Sequence, residues 1–276
     1  MGTFCVGYEN STAIDLYYED HGVGPPIVMI PGYPFTSSSW EKQISVLLDA
    51  GRRVITYDRR GFGKSSHAAK NYSIDVLAAD LNELIVMLDL TNLTIIGCSL
   101  GSGEALRYMA THGEERISKA VLISSIAPYL LKTETNLEGI DPVFFSTMRQ
   151  AIKVDRPRFM SQFLDRIFNV DLLIDDRITH EALQSAWNIA AAASAYASLL
   201  CIDCLAADFR ADLFAITRPV LVIHGEEDRI APVAAAALRT HRSLHDSKLV
   251  MIPGGPHGII WTHSEIVNRE ILEFLP

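Results

Sequence analysis

Six short apolar, β-rich runs recur along the chain with helical patterns between them, and this alternation limits the fold more than any other feature. The runs lie at 27–30, 53–57, 93–96, 119–124, 220–224 and 248–252. None shows a clean polar/apolar alternation, which is the pattern of strands covered on both faces. Helical spacing occupies 40–50, 74–88, 103–111, 232–243 and 264–274. In the second of these, Leu77, Leu81, Leu84 and Leu88 share one face, and Ser73 is placed to cap the start. Two further strands are expected at 3–8 and 13–20, joined by a turn at Glu9-Asn10-Ser11. Strands alternating with helices predict an α/β protein with a doubly wound, mostly parallel sheet.

One segment breaks the rhythm. Residues 128–208 hold several helical stretches, including an Ala-rich run at 187–205, but no convincing strand. A stretch this long is not expected as a structureless loop in a compact domain. It reads as an inserted helical cap, with residues 1–127 and 209–276 forming one catalytic core. The 276 residues suffice for a large core without disulfides, and the four cysteines are too scattered for a disulfide framework. The formal charge of −9 is dispersed, so nucleic-acid binding is not expected. No apolar run is long enough for a confident membrane span, and the first residues lack a secretory pattern. Val6 stands where a myristoylation signal wants Ser or Thr. These features predict a cytoplasmic protein and leave self-association open.

Chemistry concentrates at Gly97-Cys98-Ser99-Leu100-Gly101, between the run at 93–96 and a helix. A nucleophile elbow needs this strand–turn–helix context, because the turn is too tight for side chains at the flanking positions and leaves the Ser hydroxyl exposed near a helix N-terminus. A serine requires a base, and the base requires an orienting acid. In chain order the acid and then the His should follow, each beyond the end of a strand. Asp228 in Gly225-Glu226-Glu227-Asp228 and His257 in Gly254-Gly255-Pro256-His257-Gly258 meet that condition. Among the nine histidines, His224 ends a strand and reads as structural, while His241 and His245 sit at a helix end. His263 is the nearest rival, but Thr262 and Glu265 form a capping-box pattern that would put it in a first helical turn. Glu226 and Glu227 compete with Asp228 as the acid.

Together, several stretches resemble the α/β-hydrolase superfamily, and within it the cofactor-free haloperoxidase (perhydrolase)-like esterases and the γ-lactamases. They are Pro31-Gly32-Tyr33-Pro34, the segment from Tyr57 to Ser66, the Ser99 elbow, Asp208 to Asp212, His224 to Asp228, and Pro256 to His263. The resemblance runs through nearly the whole chain and implies an α/β-hydrolase fold, no cofactor, and an oxyanion hole formed by the backbone N–H groups of Tyr33 and Leu100. It also implies that Pro34 is the proline of members associated with peracid formation. Two departures stand out. Pro31 replaces the usual His of the loop, and Cys98 and Leu100 stand where Phe and Met are frequent.

Other patterns look like different chemistry. Gly63-Lys64-Ser65 resembles the end of a phosphate loop, but Asp58 stands where that loop needs Gly. Cys201 and Cys204 form an isolated C-x-x-C in mid-helix, which reads as a buried pair. Cys98 cannot centre the elbow, since Ile96 would have to be Gly. Most cap aromatics are expected in the cap core, with Tyr33 and Trp187 as pocket walls for a small or medium apolar acyl substrate. The expected activity is cleavage of a carboxylic ester, lactone or lactam through an acyl-enzyme on Ser99. A lyase, acyltransferase or cofactor-free oxygenase on the same residues, or a non-catalytic ligand-binding protein, are the alternatives.

Overall fold

The computed structural model describes residues 1–275 and contains one eight-stranded sheet. Its strands are β1 (Gly2–Glu9), β2 (Thr12–His21), β3 (Pro26–Ile30), β4 (Arg53–Tyr57), β5 (Leu93–Cys98), β6 (Ile117–Ile123), β7 (Val220–Gly225) and β8 (Ser247–Ile252). They lie in the order β1-β2-β4-β3-β5-β6-β7-β8. Strands β1 and β2 form an antiparallel hairpin whose turn residues Asn10 and Ser11 both have positive φ, as a tight hairpin turn requires. From β4 onward the pairs are parallel.

The absence of alternation in these strands has a direct cause. Val28 and Ile30 enter one core, while Ile27 and Met29 enter the other. The first core takes Leu77, Leu81 and Leu84 from helix Ile74–Met87, together with Phe159 and Phe163 of the cap. The second is closed by Leu47 of helix Glu41–Asp49 and by Val267 and Ile271 of helix Ser264–Phe274. Both faces of the sheet are therefore dry, and its parallel strands aim their C-terminal ends at one edge, where the loops after β3, β5, β7 and β8 meet.

The segment between β6 and β7 carries helices Pro142–Phe168, Val170–Leu173, His180–Ala191 and Ala195–Leu205. The Ala-rich run at 187–205 is not one helix. It breaks after Ala191 because the Ser194 N–H donates to the Gly61 carbonyl of the core at 2.8 Å, while the Ser194 hydroxyl caps the next helix. Similarly, the helix expected at 232–243 begins only at Ala237. Residues 232–236 form a turn first, with the Ala235 and Ala236 N–H groups both donating to the Pro232 carbonyl at 2.9 Å, and Ile230 and Ala231 before them donate to Asp228. The Thr262/Glu265 capping box does not form either. Thr262 belongs to a short preceding turn, its hydroxyl meets Gly258 and His263, and His263 itself is the helix N-cap.

Among the described residues no single helix is long and apolar enough to cross a membrane; helices His180–Ala191 and Ala195–Leu205 pass such a test only as a pair bent by 99°. The phosphate-loop lookalike is a turn built on buried Asp58, which accepts from the Lys64 N–H at 2.9 Å and from both donors of Ser37. Cys201 and Cys204 are buried free thiols in the cap.

Strand β7 ends against the loop that follows β8. A Cβ on Gly225 would stand 2.1 Å from the Gly255 carbonyl oxygen, a backbone atom that cannot swing away. Gly225→Ala should therefore cost about 1–3 kcal/mol. Thermal unfolding should show Tm lowered by several degrees; an unchanged Tm would contradict this account of the contact.

Candidate active site

Ser99 is the single residue between β5 and helix Leu100–His112, and it holds φ 52 and ψ −117. A non-glycine residue in that region is strained, and here the surroundings impose it. The neighbouring glycines explain how. A Cβ on Gly97 would lie 2.3 Å from the Gly101 carbonyl, and one on Gly101 would lie 2.3 Å from the Ile30 carbonyl. The elbow is thus pressed onto its own helix and onto the end of β3. Its backbone is held by the Ser99 N–H donating to Ile123 at 2.9 Å and by the Ser102 hydroxyl donating to the Ser99 carbonyl.

The loop after β8 delivers His257. Its carbonyl accepts from the Ser124 hydroxyl at 2.7 Å, and the next residue, Gly258, donates its N–H to Ile167 of the cap at 2.8 Å. His257 Nε2 lies 2.8 Å from Ser99 Oγ, and Nδ1 lies 2.7 Å from Asp228 Oδ2. Because a carboxylate only accepts, Nδ1 carries the proton and Nε2 faces the serine with its lone pair. All three residues are buried.

Asp228 comes from the loop after β7. Its Oδ1 accepts the N–H groups of Ile230 and Ala231, both at 2.8 Å, and its Oδ2 accepts from His257. Burial opposes the charge, but the facing His257 and the hydrogen bonds from His224 and His257 outweigh it and hold the carboxyl well below its usual range. Glu226 and Glu227 point to solvent, so neither competes for the imidazole.

His224 does more than the sequence suggested. Its Nε2 lies 2.8 Å from the Ala231 carbonyl and 3.2 Å from Asp228 Oδ2, so the proton on Nε2 is shared between them. Its Nδ1 is buried with no hydrogen-bond partner among the described residues. His224 thus meets the carboxylate through Nε2. A histidine four residues before an acid in a strand-to-loop segment was the available signal. His263 instead faces Thr262, and burial, with Arg177 adding in the same direction, pushes its pKa down.

Ser99 opens into a pocket whose walls are mainly apolar, with Phe35, Ile167, Phe168, Ala186 and Ile189 prominent. The space between protein atoms is about 640 Å³ with its open mouth included. Tyr33 contributes to the wall, while its ring packs edge-on to Phe62 and Phe163 and its hydroxyl donates to the Ser198 carbonyl of the cap at 2.9 Å. Trp187 does not line this pocket. Its indole donates to the Pro157 carbonyl and borders a separate cleft on the cap, because helix His180–Ala191 turns Ala182, Ser185, Ala186 and Ile189 toward Ser99. Among the cap aromatics only Phe168 borders Ser99; Phe145, Phe159 and Phe163 are buried core, and Tyr196 is exposed.

The two N–H groups expected to face a developing oxyanion belong to Leu100 and Tyr33, on the two chain segments beside Ser99. Leu100 opens a helix, so its N–H has no intrahelical acceptor. Among the described residues no backbone carbonyl accepts from the Tyr33 N–H, and Gly32 beside it packs so closely that a Cβ would lie 3.1 Å from Ser99 Cβ. Cys98 also borders the pocket, but burial pushes its thiol up to about 12, with the Asp228 charge adding to the effect. Among the described residues no three His, Cys, Asp or Glu side chains gather as a metal site.

A buried Ser–His–Asp relay beneath the C-terminal edge of a doubly wound sheet defines a class. The chain belongs to the alpha/beta hydrolase fold family, which matches residues 25–264. Within that family it is similar to proteins named as non-heme haloperoxidases. One of them, provisionally named a non-heme chloroperoxidase, from Synechocystis sp., is 51% identical over 270 residues, covering 98% of each chain. Among solved structures, a bromoperoxidase from Bacillus anthracis superposes with a TM-score of 0.95 at 39% identity, covering 99% of this chain and 98% of its own. An esterase from Exiguobacterium antarcticum gives 0.92 at 30% identity, with 99% of each chain covered.

Asp228→Asn keeps the shape but removes the acceptor that fixes the His257 tautomer, so turnover of an activated ester should fall about 10³–10⁴-fold. The depressed carboxyl adds stability above its unfolded value of about 3.9, and that contribution is lost as pH falls toward the folded value. Melting curves should accordingly show a steeper loss of Tm in acid for the wild type than for Asp228→Asn. Parallel acid profiles would contradict the assignment.

Proposed function

We propose that the protein hydrolyses a small or medium, uncharged carboxylic ester, lactone or lactam through an acyl-enzyme on Ser99. The observation that carries this reading is the unbroken buried chain from Ser99 Oγ through His257 to Asp228, opening into an apolar pocket. A serine hydroxyl attacks a carbonyl only if a base removes its proton, and His257 Nε2 is within reach to do so. As charge builds on the substrate oxygen, the N–H groups of Leu100 and Tyr33 stabilise it; one such donor contributes about 10²–10³ in turnover. His257 then protonates the leaving group and takes a proton from the water that releases the acid. Asp228 stays ionised throughout and stabilises the imidazolium.

The esterase among the related structures supports the hydrolytic reading, and the peroxidase names among the relatives support a second one. In that reading hydrogen peroxide takes the place of water at the acyl-enzyme, and a peracid leaves in place of the acid. Both readings share the first half-reaction and the same three residues.

Substrate scope is tested with a panel of esters, lactones and lactams of increasing acyl length. Ser99→Ala should reduce turnover of the best substrate by about 10⁴–10⁶-fold while the protein remains folded. Near-wild-type turnover by the purified variant would refute the mechanism.

A further inference from the structure

We infer that Arg59 and Glu104 form a buried positioning pair that fixes the oxyanion-hole loop against the Ser99 elbow. The inference rests on the serine-hydrolase reading above and identifies two residues that this reading does not use.

The two proposed oxyanion donors belong to separate pieces of chain. Leu100 starts the helix after the elbow, and Tyr33 lies in the loop after β3. Their relative position must hold to a few tenths of an ångström for both to face one oxygen. Glu104 sits one helical turn beyond Leu100, and its Oε2 accepts from Arg59 Nε at 2.8 Å. The same guanidinium donates through Nη2 to the Pro31 carbonyl, also at 2.8 Å, two residues before Tyr33. Arg59 therefore bridges the helix that carries one donor and the loop that carries the other. Glu104 is steadied in turn by the Tyr57 hydroxyl, which donates to Oε1.

Proline has no N–H and no polar side-chain atom, so its carbonyl is the only polar handle that the residue offers. The contact is close on the other side too, since a Cβ on Gly101 would stand 2.9 Å from the Pro31 carbonyl oxygen. Beyond the hole, the Tyr33 hydroxyl is tied to Ser198 of the cap. The loop is thus held from the core through Arg59 and from the cap through its own phenol.

The pair is poorly suited to stability alone. Arg59 and Glu104 are both fully buried, and burial works against both charges, lowering the pKa of the first and raising that of the second. Arg59 Nη1 is also left without a partner. Buried ion pairs of this kind can often be replaced by apolar residues without loss of stability. What an apolar pair cannot supply is a planar fork that reaches Glu104 and the Pro31 carbonyl at once.

The test compares wild type with Arg59→Lys, Arg59→Met, Glu104→Gln and the double variant Arg59→Met/Glu104→Met. Each is assayed for kcat, KM, Tm and inhibition by a trifluoromethyl ketone, which forms a tetrahedral oxyanion adduct on an active serine. Arg59→Met should lower kcat about 10–100-fold and weaken ketone inhibition in parallel. Its KM should stay within about 2-fold of wild type, because ground-state binding does not use the hole. The double variant should keep a Tm near wild type without recovering kcat, and Arg59→Lys should recover only part of it. If Arg59→Met fails to fold, Glu104→Gln, which keeps the shape, decides through the same split. Folded variants with kcat and ketone inhibition unchanged, or with only KM raised, would overturn the inference. A wild-type enzyme that the ketone does not inhibit would instead overturn the serine-hydrolase reading.

Discussion

The hydrogen bond from His257 Nδ1 to Asp228 is the interaction on which the rest of the site depends. It fixes the tautomer, and only that tautomer turns a bare Nε2 toward Ser99. Maintaining it requires a charged carboxylate in a dry interior, which is unfavourable without compensation. Compensation comes from four N–H groups, those of Ile230, Ala231, His257 and His224. The structure around β7 follows from this requirement. The chain turns after Gly225 and wraps its own backbone amides around the carboxylate.

The cap and the core meet at the same loops that carry the relay. Ile167 of the cap accepts from Gly258, Asn169 donates to the Glu227 carbonyl at 2.9 Å, and Ser198 accepts from Tyr33. Each contact joins the cap to a different loop: the one after β8, the one after β7, and the one after β3. The cap therefore does more than roof the pocket. It restrains the loops after β3, β7 and β8, to which the proposed mechanism assigns Tyr33, Asp228 and His257, while the Ser99 elbow is held by its own glycines and β6.

The parts legible in the sequence are those encoded by local rules. Strand and helix alternation gave the sheet, since a two-sided strand loses its polar partners and shows it. Gly97, Ser99 and Gly101 marked a turn whose sterics allow few other residues, and the family's fold places Asp228 and His257 beyond strand ends. The rest depends on contacts distant in sequence. Trp187 seemed a pocket wall because the facing side of its helix is set by the break at 192–194, which arises from a bond to Gly61. His224 is the exception in range: its partner Asp228 is only four residues on, but a strand-ending histidine does not by itself show that the turn after it brings the carboxylate back to Nε2. Arg59 and Glu104, 45 residues apart, belong to no periodic pattern.

The most direct test is intact-protein mass spectrometry after exposure to a fluorophosphonate or a slowly deacylating activated ester. Wild type should gain one adduct, mapped by peptide fragmentation to Ser99, and His257→Ala should gain it at least about 10³-fold more slowly. An adduct on Cys98 or another residue, or labelling of Ser99 at an equal rate without His257, would contradict the account.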